Sequence, residues 1–333
     1  MPHERSWQMI ADARRILMTT HVRPDADGLG CLAALQEACA GLGKHVRVVL
    51  PSAAGTKYDF LRGADRFEVL GRDVALDRLP TDCDLLLVID TCTWQQLGDL
   101  GPVVRAYAGR ILVVDHHQTR DNLDHVQLVD DAAAACSPLV LRMLEAGGAD
   151  ITPTMAEALF VSLAGDTGWF RFSNVTPDVF RVAARLEDLG AQPNVIYERL
   201  FQSASVARMR LLGEALSTLT VSPEGDVACF CITRDMFDRS GAEESETENL
   251  INETQTIAGV VISVLLIEQG AGQIHVSLRS KRDVDVAAVA ASFGGGGHAR
   301  AAGCTLDAPL AEARATVLDA VGKAVGRTVS GAE

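Results

Sequence analysis

Residues 16–28 read Ile-Leu-Met-Thr-Thr-His-Val-Arg-Pro-Asp-Ala-Asp-Gly and join a short apolar run to a group of polar side chains. The apolar run at 16–20 has the length and composition of a buried strand, and a helical stretch follows at 30–40. In open α/β sheets, ligands bind beyond the carboxyl ends of the strands. We therefore expect the polar residues that follow this strand to face a ligand site.

The first half of the chain repeats this alternation of strand and helix. Further β-rich runs lie at 46–50, 85–89, 111–114 and 126–129, with helical stretches between or after them. Alternating strands and helices are typical of βαβ units and a parallel sheet. The pattern predicts an α/β fold with a doubly wound, mostly parallel sheet.

The second half predicts a smaller α/β domain. Its strands are expected at 227–233, 260–267 and 274–278, followed by a helix, a glycine run and a final helix. A chain of 333 residues has room for about two domains. Gly190, Pro193 and the polar stretch at 202–205 interrupt the pattern. We therefore predict a first domain at 1–190, a linker at 191–205 and a second domain at 206–333.

Composition limits the partners that the protein can bind. The chain has 44 acidic and 30 basic residues and a net charge of -14. Proteins that bind long duplex DNA spread lysine and arginine over a broad surface. We expect short nucleic-acid substrates and no binding to long duplex DNA. The charged start of the chain and its short apolar runs predict no membrane association and a cytoplasmic location. The eight cysteines form no CxxC pair, so we expect reduced thiols.

Polar residues follow three predicted strands and close one predicted helix. These residues are Asp25, Asp27, Asp90, Asp115, His116, His117 and Asp166. Each alone could cap a helix or complete a turn. If the segments converge, however, carboxylates about 4 Å apart repel by roughly 4 kcal/mol per pair at an effective dielectric constant near 20. Cations must then lie among them.

The mixture of aspartate and histidine suits manganese, magnesium, iron or zinc. Four carboxylates, those of Asp25, Asp27, Asp90 and Asp166, would be neutralised by two divalent cations. This balance favours a two-metal site of the kind that binds a phosphoryl group and generates hydroxide from water.

The motifs, taken together, resemble the series of the DHH phosphoesterase family. They are His-x-x-Pro-Asp-x-Asp-Gly at 21–28, Val-Ile-Asp at 88–90, Asp-His-His at 115–117 and Gly-Asp-Thr-Gly at 165–168. Ser-Leu-Arg-Ser at 277–280 and the glycine-rich stretch at 294–303 are similar to the DHH-associated domain of the family's oligoribonucleases. The motifs occur in the family's order over nearly the whole chain.

The resemblance implies roles for individual residues. One metal would be held by His21, Asp25 and Asp90. The other would be held by Asp27, Asp90, His116 and Asp166, so that Asp90 bridges the two. His117 would face the substrate phosphate and assist the leaving oxygen, and Asp115 would orient the histidines. We expect manganese, with magnesium, iron or cobalt as alternatives.

The glycine run is the second expected binding element. Residues without Cβ let backbone N–H groups approach a phosphate or base closely. The resemblance implies that the second domain holds the nucleotide. The predicted substrate residues are Arg279, Gly295, Gly296, Gly297 and His298.

The resemblance implies hydrolysis of very short RNA to 5'-mononucleotides and conversion of 3'-phosphoadenosine 5'-phosphate to AMP. A phosphodiesterase for cyclic dinucleotides (c-di-AMP or c-di-GMP) or for linear dinucleotides is the alternative within the same chemistry. A non-catalytic nucleotide or RNA sensor is the alternative of another class, which the complete set of ligand positions disfavours. The sequence leaves a homodimer open.

Overall fold

A computed structural model describes residues 2–80, 82–117, 120–121, 125–281 and 284–326, without the side chains of Ala271 and His298. The chain divides into two compact units, and the division falls between Ser203 and Ala204. Among the helices of these ranges, none is long and apolar enough to cross a membrane.

The first unit is built on a six-stranded sheet in which all neighbouring strands are parallel. The strands are β1 (Arg15–Thr19), β2 (His45–Leu50), β3 (Glu68–Val69), β4 (Leu85–Ile89), β5 (Arg110–Asp115) and β6 (Val126–Val129). Their order is β3-β2-β1-β4-β5-β6, so the winding reverses between β1 and β4. The doubly wound parallel sheet predicted from the sequence is confirmed. Only the two-residue β3 lies outside the predicted runs.

Helices cover both faces of this sheet. They are α1 (Pro2–Asp12), α2 (Ala26–Gly41), α3 (Gly101–Ala106), α4 (Ser137–Ala146), α5 (Pro153–Asp166), α6 (Pro177–Asp188) and α7 (Pro193–Phe201). Successive residues of a strand point to opposite faces. Leu85, Leu87 and Ile89 accordingly pack in one core with α2, α4 and α5, whereas Leu86 and Val88 pack in the other. Short 3-10 helices lie at Thr56–Tyr58, Ala64–Arg66, Leu76–Arg78 and Gly98–Leu100.

Two glycines set the distance between α2 and α5. A Cβ at Gly30 would collide with the carbonyl oxygen of Ala158, and one at Gly165 would collide with the Cβ of Ala26. The two helices therefore pack backbone against backbone. Because α2 begins after Asp25 and α5 ends at Asp166, this contact brings their carboxylates to the same edge of the unit.

The second unit contains another six-stranded sheet, of order β11-β12-β10-β9-β8-β7. In chain order its elements are α8 (Val206–Ser217), β7 (Thr220–Val221), β8 (Val227–Ile232), α9 (Arg234–Ser240), β9 (Ile262–Glu268), β10 (Gln273–Ser280), α10 (Val286–Ala291), β11 (Gly296–His298), β12 (Ala301–Asp307) and α11 (Leu310–Ala324). Glu244–Thr247, Leu250–Thr256 and Gly270–Gly272 are 3-10 helices. Strands β8 and β9 are parallel and the other pairs antiparallel. The predicted smaller α/β fold is confirmed.

Two local features differ from the sequence patterns. The helix that the sequence predicts at 195–201 is present as α7, but it lies within the segment 191–205 that the sequence predicts as a linker, and its Ile196 is buried in the core of the first unit. The end of the glycine run forms strand β11, which pairs with β12. Gly297 has φ of 141°, a conformation that glycine adopts without strain.

We expect Gly30→Val to destabilise the first unit by about 2 kcal/mol or more, because the added carbons must separate α2 from α5. Gly41→Ala, on the same helix with open space around the new Cβ, should change stability by less than about 1 kcal/mol. All three tryptophans, Trp7, Trp94 and Trp169, lie in the first unit. Urea unfolding followed by tryptophan fluorescence therefore measures this unit. Equal unfolding midpoints for the two variants would contradict the close helix contact.

Candidate metal centre

The loop after β1 and the first turn of α2 carry three candidate ligands, His21, Asp25 and Asp27. They lie at the point where the winding of the sheet reverses. Asp25 caps α2, and its Oδ1 accepts hydrogen bonds from the backbone N–H groups of Asp27 (3.0 Å) and Gly28 (3.4 Å). Asp27 is fully buried in the first turn of the helix. A side chain at Gly28 would collide with Thr20, so glycine here lets α2 start close to the end of β1.

Asp90 follows β4 with a left-handed backbone, φ 64°, which is rare for an aspartate. Its N–H donates to the carbonyl of Val114 at 2.8 Å, and its side chain is buried. Backbone strain of this kind persists where the surrounding structure imposes it, and it is concentrated at functional sites. The left-handed turn lets the Asp90 carboxylate lie between two histidines.

The two oxygens of Asp90 face different imidazoles. Its Oδ2 lies 3.3 Å from Nε2 of His21, which is also 3.7 Å from Oδ1 of Asp25. Its Oδ1 lies 3.5 Å from Nε2 of His116. The same His116 nitrogen is 3.4 Å from Oδ2 of Asp27 and 3.1 Å from Oδ2 of Asp166. The structure therefore brings together the six predicted ligand positions as two groups that share Asp90.

The Nδ1 atoms of His21 and His116, on the other side of each ring from Nε2, fix the orientation of these two imidazoles. Nδ1 of His21 lies 2.9 Å from the carbonyl of Val22, and Nδ1 of His116 lies 3.2 Å from the carbonyl of Ala133. A carbonyl only accepts, so each Nδ1 carries the proton and donates it. Each Nε2 then turns toward the carboxylates. Nε2 of His116 is buried without a well-directed hydrogen bond among the residues described. This is the tautomer and orientation of metal-binding histidines.

The pKa values of the histidines and aspartates show that this cluster favours positive charge. Burial alone would lower the pKa of both His21 and His116, but the neighbouring carboxylates of Asp25 and Asp90 for the first, and of Asp166 and Asp90 for the second, raise each to about 11. Burial and the neighbouring carboxylates of Asp90 and Asp166 raise the pKa of Asp27. Carboxylates this close require a cation or a proton between them.

Two residues that the sequence did not single out support Asp27. The backbone N–H of Cys136, at the start of α4, donates to both its carboxylate oxygens, at 3.1 and 2.8 Å. Ser162 donates its hydroxyl to Oδ1 of Asp27. The thiol of Cys136 also lies 3.7 Å from Oδ1 of Asp90. Ser162 precedes Asp166 by four residues on α5, and this helical spacing is the one sequence signal that could have identified it.

Asp115 and His117 form a hydrogen-bonded pair next to the two groups of candidate metal ligands. Asp115 is buried at the end of β5, and its Oδ1 lies 2.7 Å from Nδ1 of His117. The same oxygen accepts the backbone N–H of His116 at 2.8 Å. The side chain of His117 is 42% exposed, compared with 12% for His116. His117 is therefore oriented by Asp115 and open to solvent, in contrast with the two buried histidines.

The predicted substrate residues lie in the second unit. Arg279 is on β10, Gly296 and Gly297 are on β11, and Gly295 precedes that strand. The side chain of His298 lies outside the described part of the structure. Arg279 is half-buried, and burial lowers the pKa of its guanidinium. Its one hydrogen bond within the described ranges goes to the carbonyl of Leu278 at 3.1 Å.

Comparison with known proteins agrees with the motif series. Residues 15–163 match the model "DHH family, N-terminal domain", and residues 227–327 match the DHHA1 domain. The chain is 31% identical over 329 residues to the bifunctional oligoribonuclease and PAP phosphatase NrnA of Thermus thermophilus, covering 96% of this chain and 95% of that protein. It is 25% identical to NrnA of Bacillus subtilis, covering 87% and 89%.

A solved structure shares the fold. The exopolyphosphatase-related protein of Bacteroides fragilis superposes with a TM-score of 0.88 at 23% identity, over 97% of this chain and 96% of that one. The resemblance inferred from the motifs is confirmed by the two domain matches and by the 31% identity to a relative over nearly the full length of the chain. The chain belongs to the DHH family and carries a DHHA1 domain in its second unit.

Proposed function

We propose that the protein is a two-metal phosphoesterase that hydrolyses short oligoribonucleotides to 5'-mononucleotides and converts 3'-phosphoadenosine 5'-phosphate to AMP. The observation that carries the proposal is the position of Asp90, whose two oxygens face two separate groups of ligands. Both NrnA relatives are named as oligoribonucleases and PAP phosphatases, which supports the choice of substrates.

The ligand groups fit two divalent cations. One set is His21, Asp25 and Asp90, and the other is Asp27, Asp90, His116 and Asp166. Oxygen and imidazole ligands suit manganese, our proposed metal, as well as magnesium, iron or cobalt. Bound divalent cations would polarise the phosphoryl group and lower the pKa of a bound water. The buried Nε2 atoms supply the lone pairs that such cations require.

His117 is the proposed proton donor to the leaving oxygen. The hydrogen bond from its Nδ1 to Asp115 raises the pKa of His117, which favours the protonated imidazole that a proton donor requires. Asp115 is buried and acceptor-only when ionised, so it holds the ring in one orientation. The arrangement resembles the histidine and aspartate of other acid–base sites, in which the carboxylate orients the imidazole.

Both proposed reactions break a bond between phosphorus and a 3'-oxygen. One set of residues therefore serves both, provided that the nucleotide is held in register with the reacting phosphorus. We assign nucleotide binding to the second unit, with Arg279 as the residue that binds an anionic group. Its half-buried guanidinium has no carboxylate partner among the described residues, which leaves its donors available to a phosphate.

Metal binding should release protons. The raised pKa values of His21 and His116 mean that, without a cation, both imidazoles are fully protonated at neutral pH. A divalent cation must displace the Nε2 proton of each, so its affinity rises as pH rises. We expect the dissociation constant for Mn²⁺ to fall between pH 6 and 8. Titration calorimetry in buffers of different ionisation enthalpy counts the protons. A dissociation constant independent of pH would contradict the ligand assignment.

The substrate assignment is tested by a panel of two- to ten-nucleotide RNAs, 3'-phosphoadenosine 5'-phosphate, and cyclic and linear dinucleotides, assayed with several metals. We expect divalent-metal-dependent release of 5'-mononucleotides, fastest for the shortest RNAs, because the acidic chain has little extended basic surface for long strands. Preferential cleavage of c-di-AMP would favour the alternative phosphodiesterase. No hydrolysis of any substrate with any metal would favour a sensor.

The two adjacent histidines should respond differently to substitution. His117→Ala should lower kcat by about a hundredfold or more while bound metal stays constant, since a positioned proton donor contributes roughly 10²–10⁴-fold. His116→Ala should lower both kcat and metal content. Elemental analysis of each variant beside its kinetics separates the roles, with Asp188→Asn, an exposed residue of α6, as control. Equal metal loss in the two histidine variants would refute this division.

A further inference from the structure

Strand β10 presents different chemistry on its two faces. Ile274, Val276 and Leu278 pack into the core of the second unit, so His275, Ser277 and Arg279 point to the opposite face. These three polar residues are half-buried and lie in a row along the strand. Such a row on one face of a sheet gives a ligand several polar contacts from a single rigid element.

A strip with almost no side chains crosses this face. Ser277 pairs with Gly303 of β12, and Gly303 pairs with Gly296 of β11. Directly opposed residues of antiparallel strands share a face. A Cβ at Gly296 would meet nothing within 4 Å. We call Gly296, Gly303 and Ser277 the glycine floor, since flat ligand groups can approach the backbone closely there.

His275 leans over one side of the glycine floor. A Cβ at Gly303 would lie 3.6 Å from Cε1 of its ring and 3.9 Å from Nε2. The same Nε2 lies 3.4 Å from the hydroxyl of Ser277. The imidazole therefore points along the strand toward Ser277 and Arg279. Burial lowers the pKa of His275, so the ring is neutral at neutral pH and can both donate and accept a hydrogen bond.

Two polar side chains that lack a matching hydrogen-bond or ion-pair partner lie at the opposite end of this face from His275. Ser263 of β9 is opposite Arg279 and shares its face. Ser263 is fully buried, and its hydroxyl has no hydrogen-bond partner in the described ranges. Arg279 beside it is half-buried and, within the same ranges, has no carboxylate partner. Burying such groups costs free energy unless a ligand supplies the missing hydrogen bonds. An unpaired guanidinium specifies an anion.

We propose that His275 contacts the base of the nucleotide whose phosphate Arg279 binds, and that this base lies flat on the glycine floor with its edge against the His275 ring. Four residues of a strand separate Arg279 from His275, about 13 Å, which leaves room for the sugar and base between them. Ser263, directly opposite Arg279, would act as a positioning residue whose hydroxyl accepts a hydrogen bond from the guanidinium once a phosphate orders it. The inference rests on the proposed nucleotide substrate and assigns His275 as the residue that contacts the base.

Two probes separate the base from the rest of the ligand. AMP and ribose 5-phosphate share the phosphate and the sugar, and only AMP has a base. Calorimetric titration of the full-length, Mn²⁺-loaded protein gives a dissociation constant for each. Ser277→Val adds bulk to the glycine floor, and a β-branched residue suits a strand. Gln273→Val makes the same kind of change on the same face of β10, beyond His275, and serves as the control.

We expect Ser277→Val and His275→Ala to weaken AMP binding by about tenfold or more, because one displaces the base from the glycine floor and the other removes an aromatic contact to it. Both variants should leave ribose 5-phosphate binding within about twofold. Arg279→Ala should weaken both ligands, and Gln273→Val neither. Unchanged urea unfolding midpoints, followed by far-ultraviolet circular dichroism because the second unit contains no tryptophan, would show that the variants fold.

Equal loss of AMP and ribose 5-phosphate in Ser277→Val and His275→Ala, or no loss of either, would overturn the base assignment. The proposed function is tested separately, by hydrolysis of dinucleotides by the unmodified protein. Absent hydrolysis would refute the function even if the variants distinguished the two probes. Normal hydrolysis with no discrimination would refute only this inference.

Discussion

The repulsion among clustered carboxylates, two of them buried, is the constraint on which the first unit depends. Asp27, Asp90 and Asp166 each place an oxygen within 3.5 Å of one imidazole nitrogen, that of His116. At an effective dielectric constant near 20, two such charges about 4 Å apart repel by roughly 4 kcal/mol. A fold that keeps them together must compensate that cost. The proposed cations do so, and the N–H at the start of α4 and the hydroxyl of Ser162 hold Asp27 ready for them.

Several features of the fold bring these carboxylates and histidines together. The parallel strands β1, β4 and β5 end at the same edge of the sheet, next to the point where the winding reverses. Glycines 30 and 165 let α2 and α5 pack backbone to backbone, which brings the start of one helix to the end of the other. The left-handed backbone of Asp90 then turns its carboxylate between the two histidines. A change in any of these would move a ligand without altering the ligand itself.

The parts that the sequence predicts are those that local patterns encode. Short apolar runs end in aspartate or histidine, so both the strands and the edge at which their polar residues meet could be anticipated. Cys136 could not, because it reaches Asp27 across 109 positions of the chain and carries no motif of its own, and Ser162, 135 positions from Asp27, is indicated only by its helical spacing to Asp166. The sequence predicts a helix at 195–201, and α7 lies at Pro193–Phe201, but the flanking glycine, proline and serine placed this helix in an apparent linker. The pairing of the glycine run with β12 depends on tertiary contacts that a run of identical small residues cannot specify.

The proposed bridge of Asp90 between two cations can be tested directly by spectroscopy. Two Mn²⁺ ions that share a carboxylate and a bridging water are coupled magnetically, whereas ions in separate sites are not. The electron paramagnetic resonance spectrum of the protein loaded with two equivalents of Mn²⁺ should therefore show a spin-coupled pair, and Asp90→Asn should abolish that signal. An isolated six-line Mn²⁺ spectrum from the unmodified, fully loaded protein would contradict the account.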